Sequence, residues 1–120
     1  MDRLVSDPAE PRPVTSIEGV PTSGTFFVKP MLTGDCLAML QIRMARGVRS
    51  GTHSHSHESI VYVISGSLRC VVGGEALVVH AGQACRQPQN VPHSVEALED
   101  SLFIEVKAPV PDLLRTLGLS

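Results

Sequence analysis

Residues 67–80 read SLRCVVGGEALVVH, two six-residue β-rich runs joined by Gly73 and Gly74. Glycine accepts the positive φ that a two-residue hairpin turn needs, so this stretch predicts an antiparallel hairpin. It also sets the scale for its neighbours. Runs at 25–29, 36–44, 59–65, 83–87, 93–98 and 101–107 are similarly short and rich in apolar or β-branched residues. Gly66, Gly82, Pro88 and Pro92 punctuate them. Only VPDLLRTLG (110–118) reads as helix, with Leu113, Leu114 and Leu117 on one face and Gly118 as a stop. Short strands with a turn signal after each predict an all-β barrel or sandwich carrying a short C-terminal helix.

A chain of 120 residues fits one domain with one real core. Residues 1–14, with Pro8, Pro11 and Pro13, read as a flexible arm ahead of a single domain at 15–120. The net charge of −2 supplies no basic field for nucleic acid. Phe26, Phe27, Tyr62 and Phe103 are the only aromatic rings besides histidine, too few for a base-stacking surface. No apolar run reaches the length of a membrane span. The first residues, MDRLVSDPAEPRP, carry no apolar segment of a secretory signal. Cys36, Cys70 and Cys85 are an odd number without CxxC spacing, which predicts reduced thiols in a cytoplasm. A homodimer is expected, because edge strands need cover and the apolar run TFFV (25–28) could pair across a two-fold axis.

The chemistry concentrates in GTHSHSHES (51–59). Alternate residues of an extended chain share a face, so His53, His55 and His57 can point the same way. Neutral imidazoles so placed can grip a divalent metal from one side. A site needs a further ligand from another strand, and His93, after QPQNVP, is the candidate. Asn90 in that turn can take an unusual φ.

With these residues in register, the chain resembles the cupin family. The first family motif reads Gly, five residues, His-x-His, three or four residues, Glu, six residues, Gly. Gly47, His53, His55 and Gly66 fall in step with it (47–66). The second reads Gly, five residues, Pro-x-Gly, two residues, His, three residues, Asn. Gly82, Pro88, Asn90 and His93 fall in step with that one (82–97). The fifteen residues between Gly66 and Gly82 match the spacing of compact single-domain bacterial cupins. The resemblance implies a double-stranded β-helix, or jelly-roll barrel, with His53, His55 and His93 as ligands of one divalent transition metal: Fe, Ni, Mn or Zn. It also implies a small-molecule ligand inside the barrel.

Two departures bear on function. The motif glutamate position holds Ser59, and the closing Asn of the second motif is Ala97. His57 and Glu58 are further candidates for the metal or for hydrogen bonds to its ligands, Glu58 through a one-residue bulge. Parity puts Cys85 and Gln87 on one face of 83–87, and the resemblance implies that this face looks into the barrel and makes them pocket residues. Tyr62 should face outward, His80 should be structural or exposed, and Arg43, Arg46, Arg49 and Arg69 should be solvated. Three neutral histidines leave open positions, which suits Fe(II) in a dioxygenase-like role, or Ni, Mn or Zn polarising an oxygen for isomerisation. The layout is also similar to small cupins that linearise unsaturated uronates. Their C-terminal Asp-x-Phe-Ser-Pro-x-Arg-x-Asp segment becomes EVKAPVPDL here, with Glu105 for Asp, Lys107 for Phe and Pro111 for Arg. A ligand-binding or sensing cupin without turnover is the remaining alternative.

Overall fold

The computed structural model describes residues 3–119. Nine strands and one helical turn follow one another: β1 (Arg12–Ile17), β2 (Val20–Thr33), β3 (Ala38–Met44), β4 (Glu58–Ser65), β5 (Ser67–Val72), β6 (Glu75–His80), β7 (Ala84–Gln87), β8 (His93–Ala97), β9 (Ser101–Ala108) and α1 (Leu113–Thr116). They form two antiparallel sheets, one of six strands ordered β1-β2-β3-β9-β4-β7 and one of three ordered β6-β5-β8. This is the all-β architecture expected from the turn spacing, in the jelly-roll form that the cupin resemblance implies. No helix among the described residues is long and apolar enough to cross a membrane.

The core lies between the sheets. Val61 and Val63 of β4, Leu40 and Ile42 of β3, Phe26 and Val28 of β2 and Phe103 of β9 meet Leu68, Cys70, Val95 and Ala97 of the smaller sheet. Along β4 the alternation is strict: Ser59, Val61 and Val63 point in, while Ile60, Tyr62 and Ile64 are exposed. Gly66 carries the chain from one sheet to the other at φ 87. A Cβ there would run into Ser101 Oγ and the Asp100 carbonyl, so this position requires glycine.

Residues 48–53 run alongside β8 and close the barrel on that side. The Ala97 N–H donates to the Val48 carbonyl at 3.0 Å, and the Ser50 N–H donates to the Val95 carbonyl at 2.9 Å. His53 and His93 exchange both of their backbone hydrogen bonds, at 3.0 and 2.8 Å. A motif-one histidine and the motif-two histidine are thereby locked opposite each other.

Three features differ from the sequence reading. β1 begins at Arg12, inside the 1–14 stretch, and Val14 is buried. β1 pairs with β2 through a turn in which Glu18 and Gly19 both have positive φ (52 and 77). Second, Phe26–Val28 is paired with β1 on one side and, from Phe27 on, with β3 on the other. Phe27 and Val28 are therefore paired on both sides within one chain, so the expected pairing of 25–28 across a two-fold axis does not extend to them. Third, the helix is one turn rather than 110–118. Pro109 and Pro111 have no N–H to give a helix, and Asp112 caps it by accepting from the Leu114 and Arg115 amides.

Candidate metal centre

His53, His55 and His93 are all buried, and each offers a nitrogen within 4.8 Å of the others'. Their ring centroids lie 4.4 to 5.1 Å apart. His53 sits on its bridge to β8, and His93 opens β8. His55 lies in the irregular stretch before β4, and its carbonyl accepts from the Asn90 amide at 2.8 Å. Asn90 has φ 62, so the motif-two turn and the motif-one segment are fixed to each other. The side-chain alternation of a strand persists through His53, His55, His57 and Ser59, although strand β4 begins only at Glu58.

The hydrogen bonds of the rings decide which nitrogens are available. His53 Nδ1 lies 2.6 Å from the Gly51 carbonyl, and His93 Nδ1 lies 3.1 Å from the Val91 carbonyl. His55 Nδ1 lies 2.9 Å from Glu18 Oε1. Carbonyl and carboxylate oxygens only accept, so each Nδ1 carries the proton and each Nε2 keeps its lone pair. Burial holds all three rings neutral. It lowers His53 to about 4 and His55 to about 2, with Lys107 adding to the effect on His55. It lowers His93 as well. Three neutral imidazoles, each offering a nitrogen within 4.8 Å of the others', can hold a first-row divalent metal.

His57 is held differently. Its ring stacks on His55 at a centroid distance of 4.2 Å. Its Nε2 faces Lys107 Nζ at 3.3 Å. Lys107 Nζ also lies 3.1 Å from Ser59 Oγ and 2.7 Å from Glu105 Oε2. An ammonium has three protons and no lone pair, so all three neighbours accept from it. Burial pushes the Glu105 carboxyl up, but the charge and hydrogen bond of Lys107 outweigh it and hold Glu105 below the usual carboxylate range. His57 is lowered to about 4 by burial and then by Lys107.

A cupin-domain family matches residues 40–105 of the chain. The chain belongs to the cupin family. The pectin degradation protein KdgF of Dickeya dadantii (strain 3937) is 34% identical over 77 residues, which is 62% of this chain and 70% of that protein. The solved structure of KdgF from Halomonas sp. is similar at 29% identity and a TM-score of 0.70, covering 72% of this chain and 81% of that one. A predicted oxalate decarboxylase from Thermotoga maritima matches over 92% of this chain and 99% of its own, with a TM-score of 0.71 and 17% identity. That last likeness shows the fold alone.

In this cupin the barrel interior holds most of the residues singled out in the sequence. Gln87 is 2% exposed and lines the cavity with the three histidines, Glu105 and Lys107. Its Nε2 is a buried side-chain nitrogen with no hydrogen-bond partner. Cys85 faces inward too, beside Cys70, but away from that cavity. Burial raises both thiols, Cys70 to about 12, which makes them inert packing groups. Glu58 is not brought to the cluster: it points outward and accepts from Arg86 Nε at 2.8 Å. His80, Arg43, Arg46, Arg49 and Arg69 are exposed.

Sequence reasoning treated Glu105 and Lys107 only as replacements and missed Glu18. For the first two the signal was present: Ser101, Phe103, Glu105 and Lys107 alternate with Leu102, Ile104 and Val106, so parity alone turns two charges inward. Glu18 carried no such signal, since it lies 37 residues from His55 on a turn.

Proposed function

We propose that this cupin is a metal-dependent protein that acts on a small polar organic molecule held between the three-histidine cluster and Glu105. The observation that carries the reading is the convergence of three lone pairs, on His53, His55 and His93, with every Nδ1 committed elsewhere. Fe, Ni, Mn and Zn all suit such a donor set. When bound, the metal would polarise a carbonyl or hydroxyl oxygen of the ligand. Glu105, ionised beside Lys107, is the proton acceptor on the same cavity. The unpartnered Gln87 Nε2 is a donor for a ligand oxygen. Ser59 and His57 accept from Lys107 and act on its position rather than on the metal.

The relatives support a ligand class. Likeness to two KdgF proteins, one of them a pectin degradation protein, supports a sugar acid, and the motif layout similar to cupins that linearise unsaturated uronates narrows the proposal to that type and to an isomerisation. The test is metal analysis of the purified chain, then incubation with an unsaturated galacturonate monomer followed by NMR. Stoichiometric metal with loss of the ring form, abolished in Glu105→Gln, is the expected result. Metal-dependent oxygen uptake without isomerisation would move the protein to the dioxygenases. A second reading, a ligand-binding cupin without turnover, draws support from Lys107 standing beside Ser59, where the motif has a carboxylate. Tight ligand binding with no product under any metal would establish it.

The oligomeric state is part of the proposal. Met39, Ile60, Tyr62 and Ile64 are exposed on the outer face of the larger sheet, with Ile104 and Val106 paired between them. A second copy covering this face is the homodimer we infer. A monomer by light scattering at micromolar concentration would overturn it. Free thiols at Cys36, Cys70 and Cys85 support a reducing, cytoplasmic location.

A further inference from the structure

Of the three converging imidazoles, two are held by backbone carbonyls of residues close to them in sequence, Gly51 and Val91. Only His55 is held by a side chain, Glu18, from a distant part of the chain. Glu18 has further work. Its Oε2 accepts from Arg115 Nη1 at 2.9 Å, and its own N–H donates to the Thr116 carbonyl at 2.7 Å. Its φ of 52 is uncommon for a residue with a side chain, and such a position persists only where the surroundings hold it.

The partners of Glu18 lie in the C-terminal segment that covers the cavity. Thr116, Leu117 and Leu119 are buried, and Leu117 lines the cavity that the three histidines line. The helix of this segment is a single turn, too short to be stable by itself. Its place depends on what it docks against. Glu18 and Ile17 are part of that dock, Ile17 lining the same cavity.

We propose that Glu18 is a positioning residue for the metal centre, and that through Arg115 and Thr116 it couples metal binding at His55 to closure of the C-terminal segment. The proposal rests on the metal reading given above. A metal on Nε2 draws electron density from the ring and makes Nδ1–H a stronger donor to Glu18. A Glu18 side chain so fixed keeps Oε2 in place for Arg115 and its N–H in place for Thr116. Binding linkage is reciprocal, so a docked segment raises metal affinity by the factor with which metal favours docking. The Arg115 link is solvent-exposed and contributes the smaller share. The His55 link is buried on the histidine side and contributes the larger. If Glu18 served only to shape the β1–β2 turn, its loss would change stability and leave metal binding alone.

The experiment uses the full chain with Zn(II) as probe. Affinity is read by competition with a chromophoric chelator. Closure is read by hydrogen exchange at the Glu18, Thr116 and Leu117 amides, all hydrogen-bonded here. Zinc should slow that exchange in the unsubstituted protein. Glu18→Ala should weaken zinc binding by roughly ten- to a hundredfold and remove the slowing. Glu18→Gln, whose amide oxygen still accepts from His55, should keep most of the affinity and lose much of the slowing. Arg115→Ala should cost about two- to fivefold in affinity and also lose much of the slowing. Wild-type affinity in Glu18→Ala, or zinc binding with unchanged exchange at the C-terminal amides, overturns the coupling alone. A protein that binds no zinc overturns the metal centre and the coupling together.

Discussion

Lys107 Nζ lies 3.1 Å from Ser59 Oγ, across the β4–β9 pairing that sets the two residues side by side. Cupins have a carboxylate at the position of Ser59 in their first motif, and here a lysine ammonium stands against that position. The sign of the charge at this corner of the barrel is therefore reversed, and Glu105 restores the balance two residues away on β9. A buried ammonium is tolerated only with its protons satisfied, and Ser59, His57 and Glu105 do that.

Removing one member of this pair should cost far more than removing both. Lys107→Met leaves the Glu105 carboxylate buried without a counter-charge, a loss of about 3–5 kcal/mol. Adding Glu105→Gln should recover much of it, because no uncompensated charge remains. Urea unfolding of the two single variants and the double variant reads the coupling. Additive losses would show that the two groups do not stabilise each other.

Histidine substitutions should sort by which nitrogen is free. His53→Ala, His55→Ala and His93→Ala each remove a converging lone pair and should lose metal, read as metal stoichiometry after gel filtration. His57→Ala should retain it, since His57 Nε2 is spent on Lys107. An indirect penalty of roughly ten- to a hundredfold in affinity is the most that a supporting residue of this kind should impose. Loss of metal from His57→Ala with retention in His93→Ala would place the centre elsewhere.

What the sequence made legible follows from period and turn chemistry. The runs 67–72 and 75–80 match β5 and β6 because Gly73-Gly74 fixes both ends. His53, His55 and His93 come together because motif spacing encodes a bridge between two strands. The β1–β2 hairpin was not legible: Glu18-Gly19 is a weak turn signal, and Pro21, Gly24 and Pro30 interrupt the strand pattern of β2. The site partners Glu18 and Arg115 were hidden for a different reason. They meet through a contact between residues 97 apart, which no local pattern carries.

The histidine cluster should make the metal-free protein acid-sensitive over a defined window. In the unfolded chain these histidines titrate near 6.5, whereas in the fold His53 and His57 are lowered to about 4 and His55 to about 2. Between those limits the unfolded chain binds protons that the fold refuses, so stability falls as pH falls from 6.5 toward 4. The slope is at most about 1.4 kcal/mol per pH unit for each such histidine. Above 6.5 the contribution is complete and flat. Urea midpoints measured from about pH 7 to about pH 5 should show the fall, and His55→Gln should reduce it. A flat profile would mean that the rings are more solvated than the structure has them.

Gln87 offers the sharpest separation of fold from function. It pairs opposite Ser59 in the sheet, is 2% exposed, and leaves Nε2 without a partner. An unsatisfied buried donor costs about 1–3 kcal/mol in the ligand-free protein. Gln87→Leu keeps the approximate volume and removes that cost, so its melting temperature should be unchanged or higher. The same substitution removes a donor from the cavity that the histidines and Glu105 line. Affinity for the proposed unsaturated uronate ligand, measured by calorimetric titration of the metal-loaded chain, should therefore fall by roughly tenfold or more, the worth of one lost hydrogen bond to a charged or strongly polar acceptor. A variant that melts lower and binds as before would make Gln87 a packing residue and leave its amide without a role in recognition.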